Sequence, residues 1–347
     1  MAILALSRGG CDLGRRLAID LDGEFFACKG RLAAVMAEVW GEYGSIICIM
    51  ATGIVVRTIA PLLVDKYRDP AVVVCDELGR FAISLISGHL GGANALAQRV
   101  AMATGGQAVL TTASDVLGKT ALDLWCREVG LTSVDKAGLT RAMGRLVDRG
   151  TLTIWSRTSL GNLPEDLVAV ENRSSADLIV DYRINTSHHG TLLVPKALVM
   201  GVGCNRGTPK EVIAAAIQAT CDQHQLRAEA IARLASMDLN ADVVGLLVAA
   251  NARLASIDLK ADEVGLLECA AESGLAIDFY SKDQLNQVEG VASSAAVLRA
   301  TGAKGVAEPA ALLSAGTGAR LLVAKMKWGD VTTAVAERGN LVEALGG

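Results

Sequence analysis

A histidine set among glycines, in Ser87-Gly88-His89-Leu90-Gly91-Gly92-Ala93-Asn94, follows the apolar run Phe81-Ala82-Ile83-Ser84-Leu85-Ile86 and leads into an alanine-rich stretch. An imidazole changes charge near neutral pH, so His89 is suited to carrying a proton between water and a bound molecule. Gly88, Gly91 and Gly92 let a ligand approach the backbone. Their N–H groups at the start of a helix suit an anion, either a carboxylate or the oxyanion of a tetrahedral intermediate. The competing role for His89 is structural, as a cap on that helix or a partner for neighbouring backbone.

Carboxylates that could serve as a general base stand at two places. Glu77 belongs to the polar turn Asp76-Glu77-Leu78-Gly79, where acids commonly make local hydrogen bonds. Asp115 closes Val109-Leu110-Thr111-Thr112-Ala113-Ser114-Asp115, read as a strand ending in hydroxyls and an acid, with helix capping as its rival role. A second small-residue loop, Met50-Ala51-Thr52-Gly53, follows Ile46-Ile47-Cys48-Ile49-Met50 and brings Thr52 and Gly53 to a strand end.

These groups need a scaffold. The short, uncharged, β-branched run at 46–50 reads as a strand buried on both faces, as in parallel sheets, and 2–6 and 71–75 read as further strands. Segments 30–42, 93–101, 121–129 and 137–149 read as helices, and 71–75 with 80–86 as a hairpin around the Asp76–Gly79 turn. The reading is an α/β protein of several domains, with mixed, mostly parallel sheets flanked by helices and a small middle module. The expected boundaries are 1–133, 134–191 and 192–347. In the last part Leu198-Val199-Met200-Gly201-Val202-Gly203-Cys204-Asn205-Arg206-Gly207 repeats the strand-then-glycine pattern, and Thr208-Pro209-Lys210-Glu211 reads as a capping box opening a helix to about Cys221. Its glycine spacing does not match a dinucleotide-binding fingerprint.

Composition narrows the partners. The chain has 347 residues, a net charge of −4 and 3% aromatics, so it has neither a global basic field nor the stacking platforms for nucleic acid. No apolar stretch is long enough to span a bilayer, and the N-terminus lacks a signal-peptide pattern. Eight cysteines without a Cys-x-x-Cys pair read as reduced, mostly buried thiols of a cytoplasmic protein. Four dispersed histidines give no metal-site spacing, and no resident metal is expected. Residues 232–251 and 252–271 align without gaps, sharing Ala-Arg-Leu-Ala-Ser, Asp-Leu, Ala-Asp and Val-Gly-Leu-Leu. Two copies are too few for a solenoid, so this is a local tandem duplication.

Many separated segments together resemble one family. Thr52-Gly53-Ile54-Val55-Val56-Arg57, Ile59-Ala60-Pro61-Leu62-Leu63, Asp69-Pro70-Ala71-Val72-Val73-Val74, Asp76-Glu77, Gly79-Arg80-Phe81, the His89 loop and Thr111-Thr112-Ala113-Ser114-Asp115 are similar to the cobalt-precorrin-5A hydrolases of anaerobic cobalamin biosynthesis. Gly201-Val202-Gly203-Cys204-Asn205-Arg206-Gly207-Thr208 and Ser256-Ile257-Asp258-Leu259-Lys260-Ala261-Asp262-Glu263 resemble that family's C-terminal domain. The resemblance spans nearly the whole chain, and the duplication departs from it.

The resemblance implies a hydrolase that opens the ring-A δ-lactone of a cobalt-containing macrocycle, cobalt-precorrin-5A, and releases acetaldehyde. It implies no protein cofactor, because the cobalt arrives with the substrate, and no partner beyond that corrinoid and transient contact with other enzymes of the pathway. His89, Glu77 and Asp115 are then the candidates for proton transfer. Thr52, Gly53, Ser87, Gly88, Gly91, Gly92 and Asn94 are candidates to hold the substrate. Arg57, Arg80, Arg206 and Lys260 gain a role against its many carboxylate arms. The expected pocket is a cleft between the N-terminal and C-terminal domains. The alternative from another class is a non-catalytic protein that binds and transfers a corrinoid intermediate.

Overall fold

The computed structural model describes residues 1–65, 68–89, 91–184, 189–205, 207–237, 264–339 and 341. They divide into two compact units, Met1–Trp125 with Met143–Gly150, and Cys126–Ala142 with Thr151–Gly347.

The first unit is built on a six-stranded sheet. Its elements are β1 (Ala2–Ala5), α1 (Arg8–Asp20), β2 (Glu24–Ala27), α2 (Leu32–Glu42), β3 (Ser45–Ile49), α3 (Thr52–Ile59), β4 (Ala71–Cys75), β5 (Phe81–Ile86), α4 (Ala93–Thr104), β6 (Gln107–Val109), α5 (Ala113–Val116) and the start of α6 (Leu122–Glu128). The strand order is β2-β1-β3-β4-β5-β6. Strands β1 to β4 run parallel, β5 is antiparallel to β4, and β6 is parallel to β5.

The uninterrupted apolar strands follow from burial on both faces. Ile47, Ile49, Val73 and Cys75 pack against Leu13 and Leu17 of α1 and Leu96, Ala97 and Val100 of α4. Ile46, Cys48, Val72 and Val74 pack on the other side against Val35, Met36 and Val39 of α2 and Val55 and Ile59 of α3. Each such side chain contributes roughly 1.5–3 kcal/mol of burial. The reversal at β5 is made by Asp76, whose Oδ1 accepts from Leu78 N at 2.9 Å and Oδ2 from Phe81 N at 2.7 Å, with Gly79 at φ +70°. The strand expected to run on to Asp115 instead ends at Val109, and the chain turns into α5.

The second unit carries two five-stranded sheets. One comprises β7 (Leu131–Ser133), β8 (Leu152–Ser156), β9 (Leu167–Ala169), β10 (Leu178–Val180) and β11 (Thr191–Pro195), in the order β7-β11-β10-β8-β9, antiparallel only at β7. Between β7 and β8 runs α7 (Lys136–Arg149). The other sheet comprises β12 (Leu198–Cys204), β13 (Ile231–Met237), β14 (Ala276–Tyr280), β15 (Arg320–Trp328) and β16 (Val331–Glu337), in the order β14-β13-β12-β16-β15. Its helices are α8 (Lys210–Gln223), α9 (Val264–Glu272), α10 (Lys282–Asn286), α11 (Ala295–Thr301) and α12 (Ala307–Ala315). The chain is therefore an α/β protein of mixed, mostly parallel sheets flanked by helices.

Two local readings change. The capping box at α8 does not form: Pro209 is extended and becomes the N-cap, while Thr208 Oγ1 donates back to Asn205 O at 2.7 Å. A capping box forms instead at α10, between Ser281 and Gln284. Gly201 and Gly203 serve packing, since a Cβ on Gly201 would stand 1.9 Å from Ala307 O and one on Gly203 2.8 Å from Thr332 Oγ1.

The duplication is used across its copies. β13 takes the opening Ala-Arg-Leu-Ala-Ser of the first copy, and α9 takes the closing Val-Gly-Leu-Leu of the second. The Ser256–Glu263 motif, with Lys260, lies outside the described residues, as does Arg206.

Candidate active site

The sheet of the first unit separates its two glycine loops. Thr52 and Gly53 follow β3, and Glu77 and Arg80 lie in the turn after β4, all at the carboxyl end of the parallel strands. Because β5 runs back, Ser87, Gly88 and His89 emerge at the opposite end, where Ser87 Oγ donates to Asp69 O, ahead of β4, at 3.0 Å. Six residues of β5 set the two ends about 17 Å apart, at about 3.4 Å per residue. Glu77 therefore is not brought to His89, whereas Asp115 and Asn94 are.

Around His89 five polar side chains converge. Its Nε2 lies 3.0 Å from Asp115 Oδ2 and 3.2 Å from Ser114 Oγ, and its Nδ1 lies 3.6 Å from Asp123 Oδ1. Asn94 Nδ2 donates to the same Asp115 Oδ2 at 2.8 Å, while Asn94 Oδ1 accepts from Ser84 Oγ at 2.6 Å. The His89 and Asp123 side chains are 8% and 5% exposed, and that of Asp115 is 32% exposed. Asp115 is thus the member of the group that a molecule in solvent can reach, with the imidazole behind it.

Sequence rules explain how these side chains are aimed. Ser87 adopts φ +57° and Gly92 φ +87°, so the chain doubles back between β5 and α4. A Cβ on Gly88 would come 2.8 Å from Asn94 Oδ1, and one on Gly91 2.4 Å from Ser87 Cβ. The glycines are therefore required by the turn itself. The carbonyls of Ser87, Gly88 and His89 accept from the N–H groups of Ala93, Asn94 and Gly92, at 3.1, 3.0 and 2.9 Å. This corrects the anion-site reading of that helix start: the Gly92 N–H is committed to the loop's own carbonyl.

The His89 ring does not cap α4; it faces Asp115, Ser114 and Asp123. Asp115 lies inside α5, and its carboxylate takes His89 and Asn94. Ser114 was visible only as one of the hydroxyls before Asp115, and Asp123 escaped the sequence reading. Asp123 offers one signal, a carboxylate within the apolar run Leu122-Asp123-Leu124-Trp125-Cys126, and it is buried with Leu122, Trp125 and Cys126.

The opposite end has a different character. A cavity of about 420 Å³ is lined by Met50, Thr52, Val74, Asp76, Glu77, Phe81 and Ile83 among others, and the His89 group does not line it. It is lined from the carboxyl ends of β3 and β4 and from β5 and β6, and ligands of open α/β sheets bind outside the carboxyl ends of the strands. Ser7, which caps α1 by accepting from Gly10 N at 3.1 Å, belongs to the same end. Arg57 is exposed with its guanidinium over Gly53, and Arg80 is exposed beside the turn. Among the described residues neither forms an ion pair.

The first unit thus sets an imidazole between two carboxylates at the end of a mixed α/β sheet. The family models place the chain further: Cobalamin synthesis G N-terminal matches residues 34–115, and Cobalamin synthesis G C-terminus matches 198–254 and 248–336. Each copy of the duplication falls within one of the two C-terminal matches, 232–251 in the first and 252–271 in the second. The cobalt-precorrin-5A hydrolase of Priestia megaterium is 33% identical over 328 residues, covering 89% of this chain and 82% of that protein. That of Salmonella typhimurium (strain LT2) is 32% identical over 272 residues, covering 71% of this chain and 78% of that protein. A solved cobalamin biosynthesis protein G homolog from Sulfolobus solfataricus is 18% identical, with a TM-score of 0.38, over 97% of this chain and 96% of that one. The chain belongs to the cobalt-precorrin-5A hydrolase family.

Proposed function

We propose that this protein is a hydrolase of cobalamin biosynthesis that acts on cobalt-precorrin-5A, opening its ring-A δ-lactone and releasing acetaldehyde, with Asp115 and His89 as the proton-transfer pair. The observation that carries the assignment of the pair is the 3.0 Å contact between His89 Nε2 and Asp115 Oδ2, with the carboxylate on the solvent side. A lactone is opened by adding water to its carbonyl carbon and breaking the acyl C–O bond, which leaves a carboxylate and a hydroxyl. Asp115 takes the proton from the attacking water and His89 accepts it in turn, so the charge passes to an imidazole flanked by acids. The pair returns that proton to the expelled ring oxygen, which becomes the hydroxyl; it then takes the hydroxyl proton as the carbon–carbon bond breaks, the bond's electron pair stays on the macrocycle carbon, and the pair delivers the proton to that carbon as acetaldehyde departs. Asn94 fixes the Asp115 oxygen through its 2.8 Å hydrogen bond and is held itself by Ser84.

The substrate is a polyanion, and it brings its own cobalt. Arg57, Arg80, Thr52 and Gly53 form the binding end of the same sheet, where guanidinium groups can take carboxylate arms bidentately. Ser87, Gly88 and Gly91 shape the wall beside the chemistry. Arg206 and Lys260 complete the proposed set from outside the described residues. Eight thiols and no disulfide support a reducing compartment such as the cytoplasm.

Incubation of the purified protein with cobalt-precorrin-5A tests the reading: acetaldehyde release is expected, and tight binding without turnover would instead make the protein a carrier. His89→Ala is expected to abolish acetaldehyde formation while substrate binding persists. Near-normal turnover in that variant would remove His89 from the chemistry.

A further inference from the structure

The His89 ring faces an acid at each nitrogen, and the two acids differ. Asp115, on Nε2, is partly exposed; Asp123, on Nδ1, has a side chain only 5% exposed. Asp123 comes from the first turn of α6, and its Oδ1 also accepts from Leu124 N at 3.0 Å, which fixes the carboxylate plane. A carboxylate taken out of water destabilises the fold unless a positive or hydrogen-bonding partner compensates it. The imidazole is the partner here. At 3.6 Å the contact is longer than a hydrogen bond, and it becomes an ion pair when the ring carries both protons.

We infer that Asp123 is a positioning residue for the proposed hydrolysis: it keeps a proton on His89 Nδ1, turns Nε2 toward Asp115, and balances the charge when Nε2 accepts a proton. This rests on the reading of His89 and Asp115 as the proton-transfer pair. The physics is that of any imidazole whose second nitrogen is held by a buried acid: the acid selects the tautomer and orients the ring, and the free nitrogen does the work. Ser114 Oγ, 3.2 Å from Nε2, keeps the same nitrogen aimed outward when it carries no proton, by donating to it. The Asp123 side chain is only 5% exposed, so its effect travels through His89.

Asp123→Asn removes the charge but keeps the shape and an oxygen for Leu124 N, so a purely structural role is left intact. The test uses the full chain with ¹⁵N-labelled histidine. Only four histidines are present, and the His89 signals are assigned by their loss in His89→Gln. In the wild type, His89 is expected to show a protonated Nδ1; a bare Nδ1 overturns the inference without any variant, even if Asp123→Asn fails to fold. In Asp123→Asn, the His89 signals are expected to move toward the Nε2–H tautomer. The kcat for acetaldehyde release is expected to fall about 100-fold with KM within about 3-fold. Unchanged His89 signals, or a kcat within about 3-fold of wild type, overturn it. Absence of acetaldehyde release by the wild-type protein overturns the functional reading instead, and the ring spectra still decide whether Asp123 sets the His89 proton.

Discussion

His89 Nε2 and Asp115 Oδ2 stand 3.0 Å apart, but it is the carboxylate, not the imidazole, that meets solvent. A histidine in a glycine loop invites the opposite picture, with the ring presented to substrate. The loop between β5 and α4 folds the ring inward, and α5 lays Asp115 across its outer edge.

That order of exposure has a kinetic consequence. Asp115→Asn removes the outward base while keeping its shape, and it is expected to lower kcat for acetaldehyde release on the order of 10²- to 10⁴-fold, with a small change in KM. Steady-state kinetics on cobalt-precorrin-5A measure it, and a change in KM alone would make Asp115 a binding group.

The loop that aims His89 has no room for a side chain at Gly91. A Cβ there would lie 2.4 Å from Ser87 Cβ, and neither atom is the end of a flexible chain. Gly91→Ala is expected to destabilise the protein by about 1–3 kcal/mol and to lower activity beyond that loss, because the loop must shift. Thermal unfolding compared with turnover of the folded fraction separates the two effects.

In the second unit, Asp181 is fully buried at the end of β10 and takes Arg157 bidentately, at 2.7 and 3.1 Å, with Arg173 Nε at 3.7 Å. The Arg157 guanidinium also lies over the Trp155 and Tyr182 rings, at 5.5 and 5.8 Å. Removing Asp181 takes away the carboxylate that both guanidinium groups face. Asp181→Ala is expected to cost about 3–5 kcal/mol in urea unfolding, and Asp181→Asn less, since it keeps an acceptor.

Burial raises the Cys48 and Cys75 thiols from the ordinary 9.0 to about 12, and Cys221 to about 11. The folded state therefore holds these protons more tightly than the unfolded chain. The stability this contributes is fully present below about pH 9 and falls as the pH rises from there toward 12. At pH 8 a thiol reagent is expected to modify the partly exposed Cys11 and Cys204, and to reach Cys48, Cys75 and Cys221 only after denaturant is added. Rapid labelling of Cys48 in the native protein would contradict its burial.

Much of the fold could be read directly. β3 and β4 are short continuous apolar runs rich in β-branched residues, a pattern that suits a strand covered on both faces. Leu13 and Leu17, or Val35, Met36 and Val39, mark helix faces by spacing alone. Where the reading failed, the deciding contact was local but conformational: Pro209 in an extended conformation moved the start of α8, and the turn after Val109 made a helix of what looked like a strand end.

The sequence by itself offered candidates for the chemistry, His89, Glu77 and Asp115, and, through many separated motifs, determined the family. It named His89, Asp115 and Asn94 because their types and loop setting are visible along the chain. Tertiary structure alone decided which of them meet. The antiparallel turn at Asp76–Gly79 sends β5 back along the sheet, so two glycine loops about 35 residues apart in the chain come to lie at opposite ends of it, about 17 Å apart at strand spacing. The same folding carries Asp123, an acid in an apolar helix, to the hidden nitrogen of His89. Side-chain type is a property of the residue; direction and burial depend on strand order and helix placement, which no single segment encodes.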